Sequence, residues 1–224
     1  MLRCTRIALA IDAKQAQTKS GAIGLLAIYS VFEQGGIMRK LIALLFLFVS
    51  LPVFAHPGHA GHAVSFMDGF THPLTGLDHM LTMFAVGLWS ATTTKRIWLA
   101  PVSFAATLLA GALLAQSGIF FPAVEPIVAA SVFLLGLLVM TRSHLPEAAT
   151  AVLVAGFALF HGAAHGSELN APIALAGMVL ATALLHCTGI SVGLLLKSRS
   201  LWWQRITGAG IALAGAGLVG GLIS

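Results

Sequence analysis

Two short segments concentrate the coordinating side chains of this chain. The first is His72-Pro73-Leu74-Thr75-Gly76-Leu77-Asp78-His79, at the mouth of a long apolar run. The second is Phe160-His161-Gly162-Ala163-Ala164-His165-Gly166-Ser167-Glu168, which closes another. Groups that ionise or coordinate are costly in hydrocarbon, so their presence there points to a task. Imidazole and carboxylate without thiolate suit Ni²⁺, Co²⁺ or Zn²⁺ rather than Cu⁺. His72, Asp78, His79, His161, His165 and Glu168 are therefore the candidate metal ligands.

Spacing sharpens this. His161, His165 and Glu168 fall at i, i+4 and i+7, one stripe of a helix. Two histidines at i and i+4 can grip one ion. Gly162 and Gly166 thin the same segment, so a neighbouring helix or a hydrated ion can approach, or the helix can open. In the first cluster Pro73 fits the first position of a helix, which places His72 just before it. Asp78 either binds an ion directly or orients an imidazole by accepting its other N–H. The plain alternative is a set of interhelical hydrogen bonds between neutral histidines and carboxylates.

Other candidates are weaker. His186 and Cys187 lie deep in a later apolar run, where they form a second station on a path or His186 bonds a neighbouring helix. His56, His59 and His62 punctuate the Gly/Pro-rich stretch His56-Pro57-Gly58-His59-Ala60-Gly61-His62. They read either as a metal-collecting tail or as a polar leader with chance histidines. Glu125 reads as outer loop, His144 as solvated, and Glu147 as a favourable first-turn carboxylate.

The elements that position these residues are membrane spans. The chain is 58% hydrophobic and 8% charged, whereas soluble domains carry about 25% charged residues. The reading is an all-α integral membrane protein with six transmembrane helices after an N-terminal signal peptide. The expected spans are 75–91, 97–115, 126–140, 148–165, 171–196 and 201–222. Met38-Arg39-Lys40, the apolar run from Leu41 to Phe54 and the small Ala55 make a secretory signal at 38–55. Residues 1–37 then precede the natural start, unless they form a genuine extension with an uncleaved first helix. A periplasmic leader fills 56–71, and the six-helix domain fills 72–224. Every Lys and Arg after Ala55, namely Lys95, Arg96, Arg142, Lys197, Arg199 and Arg205, falls in alternate loops. That bias makes those loops cytoplasmic and the mature N-terminus periplasmic. Both clusters then open to the periplasm. Trp89, Trp98, Trp202 and Trp203 sit near the cytoplasmic ends as an aromatic belt would. Gly189-xxx-Gly193 and Gly217-xxx-Gly221 are helix-packing candidates. Two halves of three spans would run in opposite senses, as inverted repeats do.

The net charge of +5 reports this loop bias and no nucleic-acid partner. Cys4 and Cys187 make no disulfide framework. No nucleotide-binding motif is present, so ATP coupling would need a partner.

At the two clusters the sequence resembles the HupE/UreJ family of nickel/cobalt permeases. The family's first-span pattern, His, five residues, then Asp-His, is met by His72, Asp78 and His79. Its fourth-span pattern, Phe-His-Gly-x-Ala-His-Gly-x-Glu, is met by Phe160, His161, Gly162, Ala164, His165, Gly166 and Glu168. The resemblance covers residues 38–224. It implies a bacterial inner-membrane permease, not an enzyme, with Ni²⁺ or Co²⁺ as cargo and no prosthetic group. It also implies supply of a metalloenzyme maturation system, for hydrogenase, urease or cobalamin. Two competing readings are a membrane metal-binding accessory or sensor protein without transport, and an intramembrane metalloprotease. The second lacks the glutamate of HExxH, since His161-Gly162-Ala163-Ala164-His165 has alanine or glycine between its histidines.

Overall fold

A chain in hydrocarbon must satisfy its backbone hydrogen bonds within itself, and apolar runs there form helices. The computed structural model describes residues 64–166 and 168–223. The expected signal peptide, residues 1–37 and the histidines at 56, 59 and 62 lie outside the described residues. Seven helices make up the described chain: α1 (Phe66–Thr75), α2 (Leu77–Thr93), α3 (Leu99–Gln116), α4 (Val124–Thr141), α5 (Glu147–His165), α6 (Pro172–Lys197) and α7 (Leu201–Gly221). No strand occurs among the described residues. Helices α3, α4, α5 and α6 are long and apolar enough to cross a membrane. Helix α2 has 17 residues, and α7 carries Gln204 and Arg205 near its start.

Helices α2 to α7 coincide with the expected spans to within two residues at each end. The third begins at Val124 rather than Pro126, so Glu125 lies in the first turn of α4 and not in a loop. Helix α1 was not anticipated. Ser65 accepts a hydrogen bond from the Asp68 N–H while the Asp68 carboxylate accepts from the Ser65 N–H. This capping box starts a helix before Pro73, so His72 lies in the last turn of α1 rather than ahead of a helix. Gly76 then adopts an extended conformation (φ −77°, ψ 112°) and divides α1 from α2.

Helix α2 is the centre of the bundle. Every residue from Thr82 to Thr92 is buried, as expected of a helix apolar all round and covered by neighbours. It packs most extensively on α6, while α3 packs on α5 and α4 on α7. Each half, α2–α4 and α5–α7, therefore lends its first helix to the second helix of the other half. Close approach depends on glycine. Gly87 lies against the backbone of His186, and Gly189 returns the contact to Phe84. Gly111 lies against Leu159, and Gly162 against Leu108. A Cβ at any of these would collide with main chain. Gly193 also meets α2, whereas a Cβ at Gly217 or Gly221 would meet nothing within 4 Å. Large apolar side chains such as Val102, Leu113, Val152, Leu184 and Leu213 are exposed on the outer helices, as a lipid-facing surface requires.

One end of the bundle gathers the basic loops. Trp89 Nε1 donates to the Ser143 carbonyl at 2.9 Å, and His144 Nδ1 donates to the Thr93 carbonyl at 2.7 Å. Arg96 Nε lies 3.4 Å from the Glu147 carboxylate. His144 thus ties two loops together instead of being only solvated. Trp89 is fully buried and takes no part in a belt, while Trp98, Trp202 and Trp203 are exposed.

Candidate metal centre

The two clusters meet at the opposite end. Helix α1 delivers His72, the start of α2 delivers Asp78 and His79, and the end of α5 delivers His161 and His165. Glu168 follows α5 at once, its N–H bonded to the His165 carbonyl at 3.1 Å. The four imidazoles form a row running into the bundle. The His72 and His165 ring centroids are 4.3 Å apart, those of His165 and His79 4.3 Å, and those of His79 and His161 4.7 Å.

The outer part of the row faces solvent. His72 Nε2 lies 3.6 Å from a Glu168 carboxylate oxygen, and both side chains are partly exposed. One donor atom from each of His72, His165 and Glu168 lies within 4.8 Å of the others. Donors held about 2.1 Å from one ion stand roughly 3–4 Å apart, so a small side-chain movement would close this triad on a cation. A cavity of about 260 Å³ also reaches the row from the side, with Asp78, His79, Glu125, Val128, Leu218 and Leu222 on its walls.

The inner part is oriented by hydrogen bonds that fix which ring nitrogens are free. Asp78 is acceptor-only when ionised, so His79 Nδ1–H donates to it, at 2.8 Å. The same oxygen accepts the His79 backbone N–H at 2.8 Å. His79 Nε2 keeps its lone pair and has no hydrogen-bond partner. Gly76 makes room for this couple, since a Cβ there would stand 3.0 Å from the Asp78 carboxylate. On the far side, Ser131 Oγ donates to the Val128 carbonyl at 2.7 Å. With that proton on the Val128 carbonyl, His161 Nε2–H donates to Ser131 at 2.9 Å, and Thr82 Oγ1 lies 3.3 Å from the same oxygen. His161 Nδ1 is left with its lone pair and no partner. His165 is 2% exposed, and neither of its ring nitrogens has a partner.

The structure thus brings together all six candidate ligands from segments remote in sequence. His186 stands apart, buried in α6 beyond Phe104, and Cys187 is exposed. Ser131 is the participant that sequence reasoning missed. A serine in an apolar helix carries no spacing signal.

A helical, multi-pass membrane protein with a row of oriented imidazoles and carboxylates between its helices is the class that fold and site define. Comparison with known proteins is specific. The HupE / UreJ protein family matches residues 43–218. Protein HupE from Rhizobium leguminosarum bv. viciae is 40% identical over 180 residues, 77% of this chain and 94% of that relative. The chain belongs to the HupE/UreJ family. No solved structure matches it.

Proposed function

We propose that this protein is a permease carrying Ni²⁺ or Co²⁺ across the bacterial inner membrane into the cell. Helices α2–α7 are its six spans, with the imidazole row open to the periplasm and the basic loops in the cytoplasm. The observation that carries the reading is His165. It is buried with both ring nitrogens unpartnered, between His72 and His79 from the other segment. A buried imidazole without a partner is costly, and a visiting cation is what such a position accommodates. The interhelical hydrogen-bond alternative is disfavoured because the lone pairs of His79 and His161 are also unpartnered. Family membership supports the ion class and the delivery of metal to a hydrogenase, urease or cobalamin pathway. The donor set also accommodates Zn²⁺. The histidines at 56, 59 and 62 would serve as an outer collecting tail.

Uptake of radiolabelled Ni²⁺ and Co²⁺ into proteoliposomes holding only this protein tests the reading. Asp78→Asn and His165→Ala should each abolish most uptake with normal membrane levels, and the double variant should be little worse than either. Metal ligation needs neutral imidazoles, so uptake should fall as acid protonates them. Metal binding without flux in the wild type would identify an accessory or sensor protein instead.

A further inference from the structure

One buried imidazole remains outside the row. His186 is 2% exposed and its Nε2 has no hydrogen-bond partner. It lies deeper than the row. Its backbone abuts Gly87, eight residues after His79 on the central helix, about 12 Å further along at 1.5 Å per residue. Between it and the row stands Phe104, fully buried. The Phe104 centroid is 5.7 Å from that of His161 and 5.2 Å from that of His186. Phenylalanine offers no lone pair, so it interrupts the sequence of donors. It is nevertheless compatible with a cation, because the face of an aromatic ring attracts positive charge within about 6 Å of its centroid. The surroundings of His186 are tightly fixed, since Gly87 and Gly189 bring α2 and α6 into backbone contact at it and just after it.

We propose that His186 is a second, deeper coordination point for the same divalent ion, reached past the ring of Phe104. The inference rests on the permease reading and adds a direction to it. The outer row captures and strips the ion, and Phe104 separates capture from passage. His186 then receives the ion through Nε2 at mid-bundle.

The test separates binding from passage. Detergent-purified protein is titrated with Co²⁺ and followed by its d–d absorption, and the same variants are assayed for Co²⁺ uptake in proteoliposomes. His186→Ala should bind Co²⁺ at the outer row with an affinity within twofold of wild type while uptake falls at least tenfold. Asp78→Asn should lose the binding itself. Should His186→Ala unfold, as judged by its melting temperature, His186→Gln takes its place with the same expectation. Uptake by a folded His186 variant at the wild-type rate would overturn the deeper station while leaving the outer row standing. Loss of outer binding together with uptake would overturn it too, because His186 would then belong to one indivisible site. No Co²⁺ binding by the wild type would sink the permease reading itself.

Discussion

At the scale of single residues, the proposed centre would work by assigning protons. Asp78 and Ser131 each take one N–H, on His79 and His161 respectively, and so free the opposite nitrogen for an ion. Partners of this kind commonly alter metal affinity 10- to 100-fold. Ser131→Ala should therefore weaken Co²⁺ binding by roughly tenfold, while Ser131→Thr, which keeps the hydroxyl, should stay near wild type. Equal loss in both variants, measured by Co²⁺ titration, would mean that only packing matters at this position. The six candidate ligands were legible in the sequence because histidine and carboxylate in an apolar run are expensive and therefore conspicuous. Ser131 was not. Its hydroxyl bonds back to Val128, as serines in helices do, and its contacts with His161 and Thr82 exist only once α4 packs on α5 and α2.

At the scale of elements, α1 is a small device for holding His72 over the row. It is anchored by its cap and by Gly69 and Gly177, which set it against α6. Hydrogen bonds from the backbone and side chain of Ser65 hold the Asp68 carboxyl below its ordinary value of 3.8. A depressed carboxyl contributes stability above that ordinary value and loses it as pH falls through the folded one. Protection of the first-turn amides of α1 against hydrogen exchange should therefore drop below about pH 4. In Ser65→Ala the protection should already be low at neutral pH, with weaker uptake through a loosened His72. Unchanged protection in Ser65→Ala would show that the contact with α6 alone holds the helix. The long helices were readable from hydropathy alone. Helix α1 was hidden because ten residues with mixed polarity resemble a leader, although Ser65 and Asp68 at i and i+3 carried the signal. Trp89 misled for the opposite reason. Its position near a helix end suits a lipid interface, but α2 is covered on all sides, and the indole N–H found the Ser143 carbonyl instead.

At the scale of the whole molecule, the basic loops and the imidazole row lie at opposite ends. Ser117 follows α3 close to the row, where the neighbouring Gln116 amide donates to the Leu169 carbonyl, and Ser198 follows α6 at the basic end. Both are exposed. Single cysteines at these two positions, in a Cys187→Ala background, should react with an impermeant thiol reagent from opposite faces of the membrane. Labelling of both from outside intact cells would refute the proposed orientation. The alternation of basic loops made this layout readable along the chain. Which helix touches which was not readable, because contacts between distant helices depend on glycines whose partners lie about a hundred residues away, as with Gly87 and His186 or Gly189 and Phe84.

That exchange of helices between halves bears on how the protein is made. Helices that follow one another in the chain, such as α6 and α7, touch far less than distant ones. The first three long helices among the described residues therefore leave the ribosome with few of their final neighbours. Helix α2, with Thr82, Ser90 and Thr92 destined for a dry interior, must wait in lipid or beside an insertase until α6 arrives. Assembly is thus a late, concerted event of biogenesis, and neither half is a folding unit that could have persisted alone with the surface it now presents.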